Sequence, residues 1–594
     1  MTVPDITAQL TSSPASYLQA ARTLDSGQVR GLTPLRLAVL STYSAQFLQP
    51  YLTVEGAVRG FALAPWFGAF GQIEQEALEA SSGLYAQQPD AIVILARLEE
   101  LAPALVERGL GSPEEVLRAW MGAVEDRLAA LIGGLRQRTD KPVFIANFAP
   151  PVRLAAGLAE PLVKLSPSSL ARTLNEALAA LCRAHSGVYV FDYARLVTEH
   201  GLRSWGDDRL FFLARIPFTA DAQMALAKAL VRAVRAALVP PAKVLVLDLD
   251  QTLWGGVLGE DGFGGIALGD EYPGNVFKAF QKYVAGLKDR GILLAIASKN
   301  NEAEVLEVFA RHPDCILKRG DFAAARINWQ EKSANLRELA AELNVGLDAC
   351  VFFDDSPFER EEVRRQLPMV TVIEAPGSPL RFSDAIEESG AFDQLSLSTE
   401  DRQRVAFYRQ RGDREQAARA AASPAEFLAS LEMVATIGQV GAETLPRVAQ
   451  LLAKTNQFNL TTRRHGAGEI EAMIRSGAVA LWLRLADRFG DSGLVATALA
   501  RPDGERWVVD TFLLSCRVIG RGVETALLAR LAACVAQHGG RVLVGEYLPT
   551  ARNGLVAEFY VRHGFDSCGD GLWQMNLAAR NLNAPPHIQI RLDE

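Results

Sequence analysis

Val-Leu-Val-Leu-Asp-Leu-Asp-Gln-Thr, residues 244–252, decides the reading of this 594-residue chain. Four uninterrupted apolar residues predict a short strand buried on both faces, as in a parallel sheet covered by helices. Two aspartates follow at once. Side chains just past the carboxyl end of such a strand face the crevice where open α/β sheets hold ligands. Carboxylates two residues apart there suit Mg²⁺, a hard ion that takes oxygen ligands and keeps water or phosphate in its shell. Asp248 is placed to act as ligand and nucleophile. Asp250 is placed as a further ligand and as the general acid that protonates a leaving oxygen, then activates water. Thr252 completes the D-x-D-x-T pattern.

The chain on either side repeats the alternation of strand and helix. Leu293–Ala297 reads as a second strand, ending in Ser298 and Lys299. A small hydroxyl at a neighbouring strand end can hold a phosphoryl oxygen. Helices are expected over Phe277–Arg290, Ala303–Arg311 and Lys332–Leu343. Lys332 opens the last of these and could neutralise charge between a phosphate and Asp248. Cys350–Phe353 reads as another strand, and Asp354-Asp355 ends it, completing a carboxylate ring for Mg²⁺. Acidic caps at strand–helix junctions would explain one such motif, but not four in series. The order D-x-D-x-T, Ser, Lys, Asp-Asp resembles the haloacid dehalogenase (HAD) superfamily of aspartyl phosphotransferases. Thr252 lies 46 residues before Ser298, and Ser298 lies 34 before Lys332. Sheet and helix use much of both gaps, which leaves little room for a large cap domain. An open site admits a bulky partner or needs another domain as its lid.

Longer stretches narrow the resemblance. DLDQTLWGGVLGEDG (248–262), ASKNN (297–301), NWQEKSANLRELAAELNVGLDACVFFDDSPFERE (328–361) and TNQFNLTTRR (455–464) resemble FkbH-like proteins over roughly residues 243–565. That resemblance implies 1,3-bisphosphoglycerate as substrate. Its 3-phosphate would be removed at the HAD site, and the glyceryl unit would become a thioester on the phosphopantetheine arm of an acyl carrier protein, in polyketide or related pathways. The two phosphates would leave by different reactions, since an acyl phosphate yields to a thiolate whereas a phosphate ester needs Mg²⁺ and an aspartate. The chain departs from the pattern at Ala297, where many members carry cysteine. Either another thiol takes the acyl group, or the carrier's own thiol attacks directly, or this branch only dephosphorylates or uses another acid. Cys350, at the start of a buried strand, is expected in the core.

A third block, from about Glu432 to Leu577, mixes strands (Val479–Leu485, Trp507–Leu514, Arg541–Tyr547) with helices (Ala526–Gln537, Asn553–His563). Trp507–Ser515 leads into Cys516-Arg517-Val-Ile-Gly520-Arg521-Gly522 and then a helix. Glycines and a helix N-terminus at one turn make an anion cradle, and Arg521 is placed to meet a phosphate. Arg517, Gly520, Arg521, Gly522 and Asn553 are the expected cofactor-side residues. Gly545-Glu546-Tyr547, Asn553, Phe559-Tyr560 and Gly564-Phe565 resemble the closing half of GNAT acyltransferases, which implies that Tyr560 can protonate a departing thiolate. This block is expected to bind the carrier's pantetheine arm in a groove. Cys516, beside the cradle, is the candidate acyl shuttle, against the plain alternative of a structural thiol. Arg463, Arg464 and Arg488 are candidates for phosphate or carrier contact, against a solvated face.

Upstream, Leu35–Ser41, Asp90–Leu95, Pro142–Asn147 and Gly187–Phe191 read as strands, with helices at Pro113–Leu135 and Ser168–Ala184. This block weakly resembles SGNH-type hydrolase domains, with Ser41 or Ser44 at the nucleophile position. The closing Asp-x-x-His is missing, because Asp207-Asp208-Arg209-Leu210 holds no histidine. A serine without a base is inactive, so a degenerate domain for docking or homo-oligomer formation is expected.

Three α/β or α+β domains are therefore expected: 1–240, SGNH-like; 241–398, HAD phosphatase with a Rossmann-like parallel sheet and no large cap; and 399–594, GNAT-like. A polar helix-forming stretch, Thr399–Phe427, would link the last two. Hydrophobic residues make up 49 % and charged residues 22 %, an ordinary globular composition. Lys+Arg is 61 against Asp+Glu 69, giving a net charge of −8 with no long basic run, which disfavours nucleic acid as the partner. No apolar run is long enough to predict a membrane span, and residues 1–40 hold no secretory signal pattern. The six cysteines are scattered, as expected in a reducing cytoplasm. Two other readings remain open at this level: a phosphatase or acyl transferase for another phosphorylated acid in antibiotic or surface-polymer synthesis, and an inactive docking scaffold. The intact Asp248, Asp250, Ser298, Lys332 and Asp354 argue against the scaffold.

Overall fold

In the computed structural model the described residues are 13–25, 31–397, 421–455, 457–550, 553–569, 571–580 and 582–593, with Leu10, Arg414 and Ala417. Most of the expected linker helix 399–427 lies outside them; its end coincides with a helix over Pro424–Ser430. The chain divides into two compact units, residues 1–402 and 403–594. The first unit holds two parallel sheets and the second one mixed sheet.

The first sheet is built from β1 (Thr33–Ser41), β2 (Phe61–Phe67), β3 (Ala91–Leu95), β4 (Val143–Ala146) and β5 (Val188–Phe191) in the order β2-β1-β3-β4-β5. Its strands are apolar along their length because helices cover both faces, Glu114–Arg138 and Pro167–Ala184 among them. β2 was not marked out by the sequence. Its pattern is Phe-Ala-Leu-Ala-Pro-Trp-Phe, with exposed alanines and a proline, as an edge strand allows. Ser41 is buried and its hydroxyl donates to the Tyr43 carbonyl at 2.7 Å.

The second sheet is built from β6 (Val244–Leu247), β7 (Leu293–Ser298), β8 (Phe322–Ile327), β9 (Cys350–Phe353) and β10 (Thr371–Val372), in the order β10-β9-β6-β7-β8. β6 is central and fully buried, as the VLVL run requires. β8 (Phe-Ala-Ala-Ala-Arg-Ile) escapes a sequence reading because alanine is a weak strand signal. Helices at Gly274–Asp289, Glu302–Arg311 and Lys332–Glu342 agree with expectation to within a few residues. Between Thr252 and Ser298 the chain forms only a one-turn helix, Leu258–Asp261, and the covering helix Gly274–Asp289, besides strand β7. Residues 390–393 return to the first sheet's helix Ala220–Leu238: Arg232 binds Asp393 through two bonds of 2.5 and 2.7 Å, and Arg235 donates to the Gly390 carbonyl.

The third sheet is built from β11 (Met433–Gln439), β12 (Phe458–Asn459), β13 (Val479–Asp487), β14 (Gly490–Asp503), β15 (Arg506–Leu514), β16 (Val542–Glu546), β17 (Asp566–Gly569), β18 (Leu572–Asn576) and β19 (Ile588–Asp593). The order is β17-β18-β16-β15-β14-β13-β11-β19, with β12 added against β15. β15 and β16 run parallel but pair only from Arg506↔Val542 to Val508↔Val544; beyond that the strands part. The expected helix Asn553–His563 is two short pieces, Gly554–Val556 and Phe559–Arg562, because Asn553 is committed to the preceding loop. Among the described residues no helix is long and apolar enough to cross a membrane.

Candidate active site

Asp248 follows β6, Ser298 ends β7, Lys332 opens the helix after β8, and Asp354 and Asp355 follow β9. All therefore lie at the carboxyl ends of adjacent parallel strands, where the βα turns leave a crevice. Lys332 is almost completely buried. Its Nζ donates to Asp248 Oδ1 at 2.7 Å and to the Ala297 carbonyl at 2.6 Å, and stands 3.1 Å from Asp354 Oδ2. Burial opposes the ammonium charge, but Asp248 and Asp354 outweigh it and raise its pKa. Asp354 has no exposed surface; burial first and the Asp248 charge second push its carboxyl up to about 7. Burial likewise raises Asp355. Thr252, also buried, reaches Asp355 Oδ1 at 3.5 Å. Ser298 is buried at its strand end, and its carbonyl accepts from the Asn328 amide.

Asp248, Asp354 and Asp355 each offer an oxygen, all within 4.8 Å of one another. Three carboxylates around one ammonium leave a surplus of two negative charges, and the Asp248 charge adds to burial in raising the Asp354 and Asp355 carboxyls. A hard divalent cation fits this donor set in charge and chemistry. The structure does not bring Asp250 into the group, contrary to the sequence expectation that it is a metal ligand. Its Oδ1 accepts from Trp254 Nε1 (2.8 Å) and the Leu258 amide (3.1 Å), and its Oδ2 from Asn300 Nδ2 (2.9 Å). These bonds aim a carboxyl whose pKa burial has raised, the state that suits a proton donor. Asn300 and Trp254 were missed as positioning residues, although both lie inside quoted motifs. Arg360 was missed too: its Nη1 donates to the carbonyls of Asp354 (2.8 Å) and Asp355 (2.7 Å) and fixes that loop. Its only sequence signal is an arginine in the first turns after Asp-Asp.

The second unit departs further from expectation. Gly520 and Gly522 both have φ +80°, so the turn does need glycine. A Cβ on Gly522 would stand 3.0 Å from Pro585 Cγ, and His587 Nε2 lies 3.0 Å from the Arg521 carbonyl. The chain's own residues 585–587 thus lie over this turn. Arg521, expected on a phosphate, has Nη1 3.2 Å from the buried Asp487, which Arg414 also binds at 2.6 and 2.9 Å. Arg517 is exposed. Asn553, expected on the cofactor side, is a buried clasp: its amide donates to the Asn459 and Leu548 carbonyls and accepts from the Thr550 amide. Cys516 opens a 3₁₀ turn over Cys516–Val518, and its side chain lies outside the described residues.

The gap beyond the paired residues of β15 and β16 is filled as well. Where β15 parts from β16, its free edge takes up β12 through Phe458↔Leu514 and Asn459↔Leu513. Leu460 then bridges the gap, donating to the Phe512 carbonyl (3.1 Å) and accepting from the Leu548 amide (2.9 Å). An edge that would pair with an extended ligand is occupied by the chain itself. Arg463 binds Asp510 and Glu546, Arg464 caps the Leu452 carbonyl, and Arg488 lies 4.7 Å over the Phe489 ring. Tyr560 is buried against Gly545, and burial raises its pKa. Of the other thiols, Cys315 and Cys350 are buried and pushed up to about 11, so neither is a ready nucleophile.

No protein-family model matches the chain, and no curated protein matches it. Among solved structures, the N-terminal part of a Bacteroides fragilis protein, containing a phosphatase domain and crystallised in complex with Mg, is 28 % identical with a TM-score of 0.55. The match covers 65 % of this chain and 99 % of that one. Two acetyltransferases match 24 % of this chain, each with a TM-score of 0.20: the ribosomal-protein-S18-alanine N-acetyltransferase of Escherichia coli (14 % identical, 94 % of that chain) and a GNAT-family enzyme of Staphylococcus aureus (10 %, 99 %).

Proposed function

We propose that this protein is a Mg²⁺-dependent phosphatase of the HAD type that also transfers the acyl group of its substrate. The observation that carries the reading is the buried Lys332 held between Asp248 and Asp354 at the strand ends, with Asp355 beside them. The likeness to a Bacteroides phosphatase domain complexed with Mg supports it. Asp248, Asp354 and Asp355 would hold the ion, which screens the nucleophile from the phosphoryl group. Asp248 attacks phosphorus, and the phosphoryl group passes from the substrate oxygen to the carboxylate. Asp250, aimed by Asn300 and Trp254, gives its proton to that departing oxygen and later takes one from the water that hydrolyses the aspartyl phosphate. Lys332 and Ser298 bind the transferring oxygens.

The substrate we propose is 1,3-bisphosphoglycerate, with the glyceryl unit passing to the phosphopantetheine thiol of an acyl carrier protein. The motif resemblance supports this, and so does the lack of any cap insertion between Thr252 and Ser298, which leaves room for a large partner. With Cys315 and Cys350 buried, the acyl group would pass either through Cys516 or directly to the carrier thiol. The first-sheet domain is proposed as a docking element: the Ser41 hydroxyl is spent on the Tyr43 carbonyl. Incubating the protein with Mg²⁺, 1,3-bisphosphoglycerate and a panel of carriers, then weighing each carrier, tests the reading. A glyceryl mass gain is expected. Phosphate release without any gain would leave a phosphatase for another acid.

A further inference from the structure

Two large aromatic side chains stand exposed on the turns that carry the phosphatase groups. Trp329, on the turn between β8 and Lys332, is 76 % exposed. Phe358, three residues past Asp355 in the first turn of the helix Pro357–Gln366, is 71 % exposed. Both turns lie at the carboxyl ends of parallel strands, so both rings stand at the rim of the Asp248 crevice. Neither turn is loose. The Asn328 amide donates to the Ser298 carbonyl at 3.1 Å, and the Asn328 side chain exchanges bonds of 3.1 and 2.9 Å with the fully buried Asn335. On the other turn, Lys299 binds Glu359 at 2.7 Å, which ties the residue after Phe358 to the end of β7. Ser333 donates to Glu362 from its amide (3.2 Å) and its hydroxyl (2.5 Å), which joins the two helices that follow these turns.

A single exposed apolar side chain needs no explanation, but two aromatics held on fixed turns around one crevice do. Such rings are ready-made contact points: they bury much area on binding and lose little conformational entropy. The phosphate of a substrate goes to Asp248, so a ring on the rim meets the part of the substrate that leads away from phosphorus. Free 1,3-bisphosphoglycerate has only hydroxyl, carbonyl and phosphate groups to present there. A pantetheine arm presents methylene and methyl groups along its whole length. With only a one-turn helix and the covering helix between Thr252 and β7, no cap closes off that approach.

We propose that the ester phosphate is removed after acyl transfer, from a 3-phosphoglyceryl thioester whose pantetheine arm lies across Trp329 and Phe358. The acyl phosphate reacts first. The thiol sulfur bonds to the acyl carbon, the bond from that carbon to the phosphate oxygen breaks, and the phosphate leaves with the thiol proton. The tethered phosphate ester then enters the crevice. Asp248 takes its phosphoryl group, Asp250 protonates the departing C3 oxygen, and water frees the phosphate from Asp248, with the thioester untouched. Contacts to the arm are remote from phosphorus and supply binding that positions the ester. This rests on the carrier-loading reading above and fixes the order of its two steps.

The test uses the full chain with Mg²⁺ and measures phosphate release from two thioesters of 3-phosphoglycerate, one with pantetheine and one with methanethiol. The two share head group and charge and differ in the arm. Wild-type kcat/KM should favour the pantetheine thioester by roughly 30-fold, the effect of one strong aromatic anchor. Trp329→Ala and Phe358→Ala should each narrow that preference, and Trp329→Phe should keep most of it. Equal kcat/KM for the two thioesters in the wild type overturns the proposal and leaves the carrier-loading reading standing. So does a preference that survives intact in both alanine variants, since a merely structural fault lowers the two substrates alike. Release of phosphate from neither thioester, with p-nitrophenyl phosphate still hydrolysed, overturns both and leaves the phosphatase.

Discussion

The strand ends around Asp248 and the parted strands around Asp510 treat charge in opposite ways. At the first, three carboxylates share one lysine, and burial pushes Asp354 up to about 7. At the second, Arg463, Arg501 and His465 surround Asp510, and Arg463 also reaches Glu546. A site that is electrostatically unfinished by itself marks where a cation and a phosphate belong. A site already balanced can hold its shape without a ligand.

The contrast can be broken experimentally. The largest effect is expected for Asp248→Asn, which removes the nucleophile: p-nitrophenyl phosphate hydrolysis should fall by about 10⁴-fold or more, with near-UV dichroism unchanged. Activity near wild type would remove the nucleophile assignment. Next is Lys332→Met, which strands buried carboxylates; a loss of about 3–5 kcal/mol in urea unfolding is expected. Mg²⁺ should raise the midpoint of wild-type thermal unfolding, by roughly 2.7 kcal/mol of stability at a hundredfold excess over Kd, and Asp354→Asn should lose most of that gain. An equal gain in the variant would place the ion elsewhere.

Asn553→Ala should cost about 1–3 kcal/mol, because it removes the amide that pairs with the buried Asn459 and Leu548 carbonyls, while phosphatase activity stays. The smallest effect is a pH slope. The Asp354 carboxyl is raised from 3.8 to about 7 on folding, so between those values the native state binds more protons than the unfolded one, and stability falls as pH rises. Urea unfolding in chelator at pH 5 and at pH 7.5 should show that fall. Asp354→Asn or saturating Mg²⁺ should flatten it.

Much of the first site was legible because its residues follow strands that the sequence announces. VLVL and CVFF are fully buried runs, and the chain direction in a parallel sheet puts whatever follows them in one crevice. Asp248, Ser298, Lys332, Asp354 and Asp355 could thus be grouped before any fold was known. The Asp250 carboxylate lies outside the three-carboxylate group because sequence spacing does not say which way a side chain turns, and three donors at Trp254, Leu258 and Asn300 turned it. In the second unit the glycine turn was recognisable, but not the residues 585–587 that cover it, since they lie more than sixty positions away. TNQFNLTTRR was visible as a motif, whereas its place against β15 came only from strand pairing.

The sequence by itself determined the parallel sheet, the acidic strand ends and the need of that crevice for a cation, because local hydrophobic runs and residue chemistry carry all three. Tertiary structure alone decided which carboxylates converge, that the gap beside β15 is filled from within, and that His465 meets Asp510 45 positions away. Those are contacts between distant segments, and they are set by how edges and register match across a folded sheet, which no local pattern encodes.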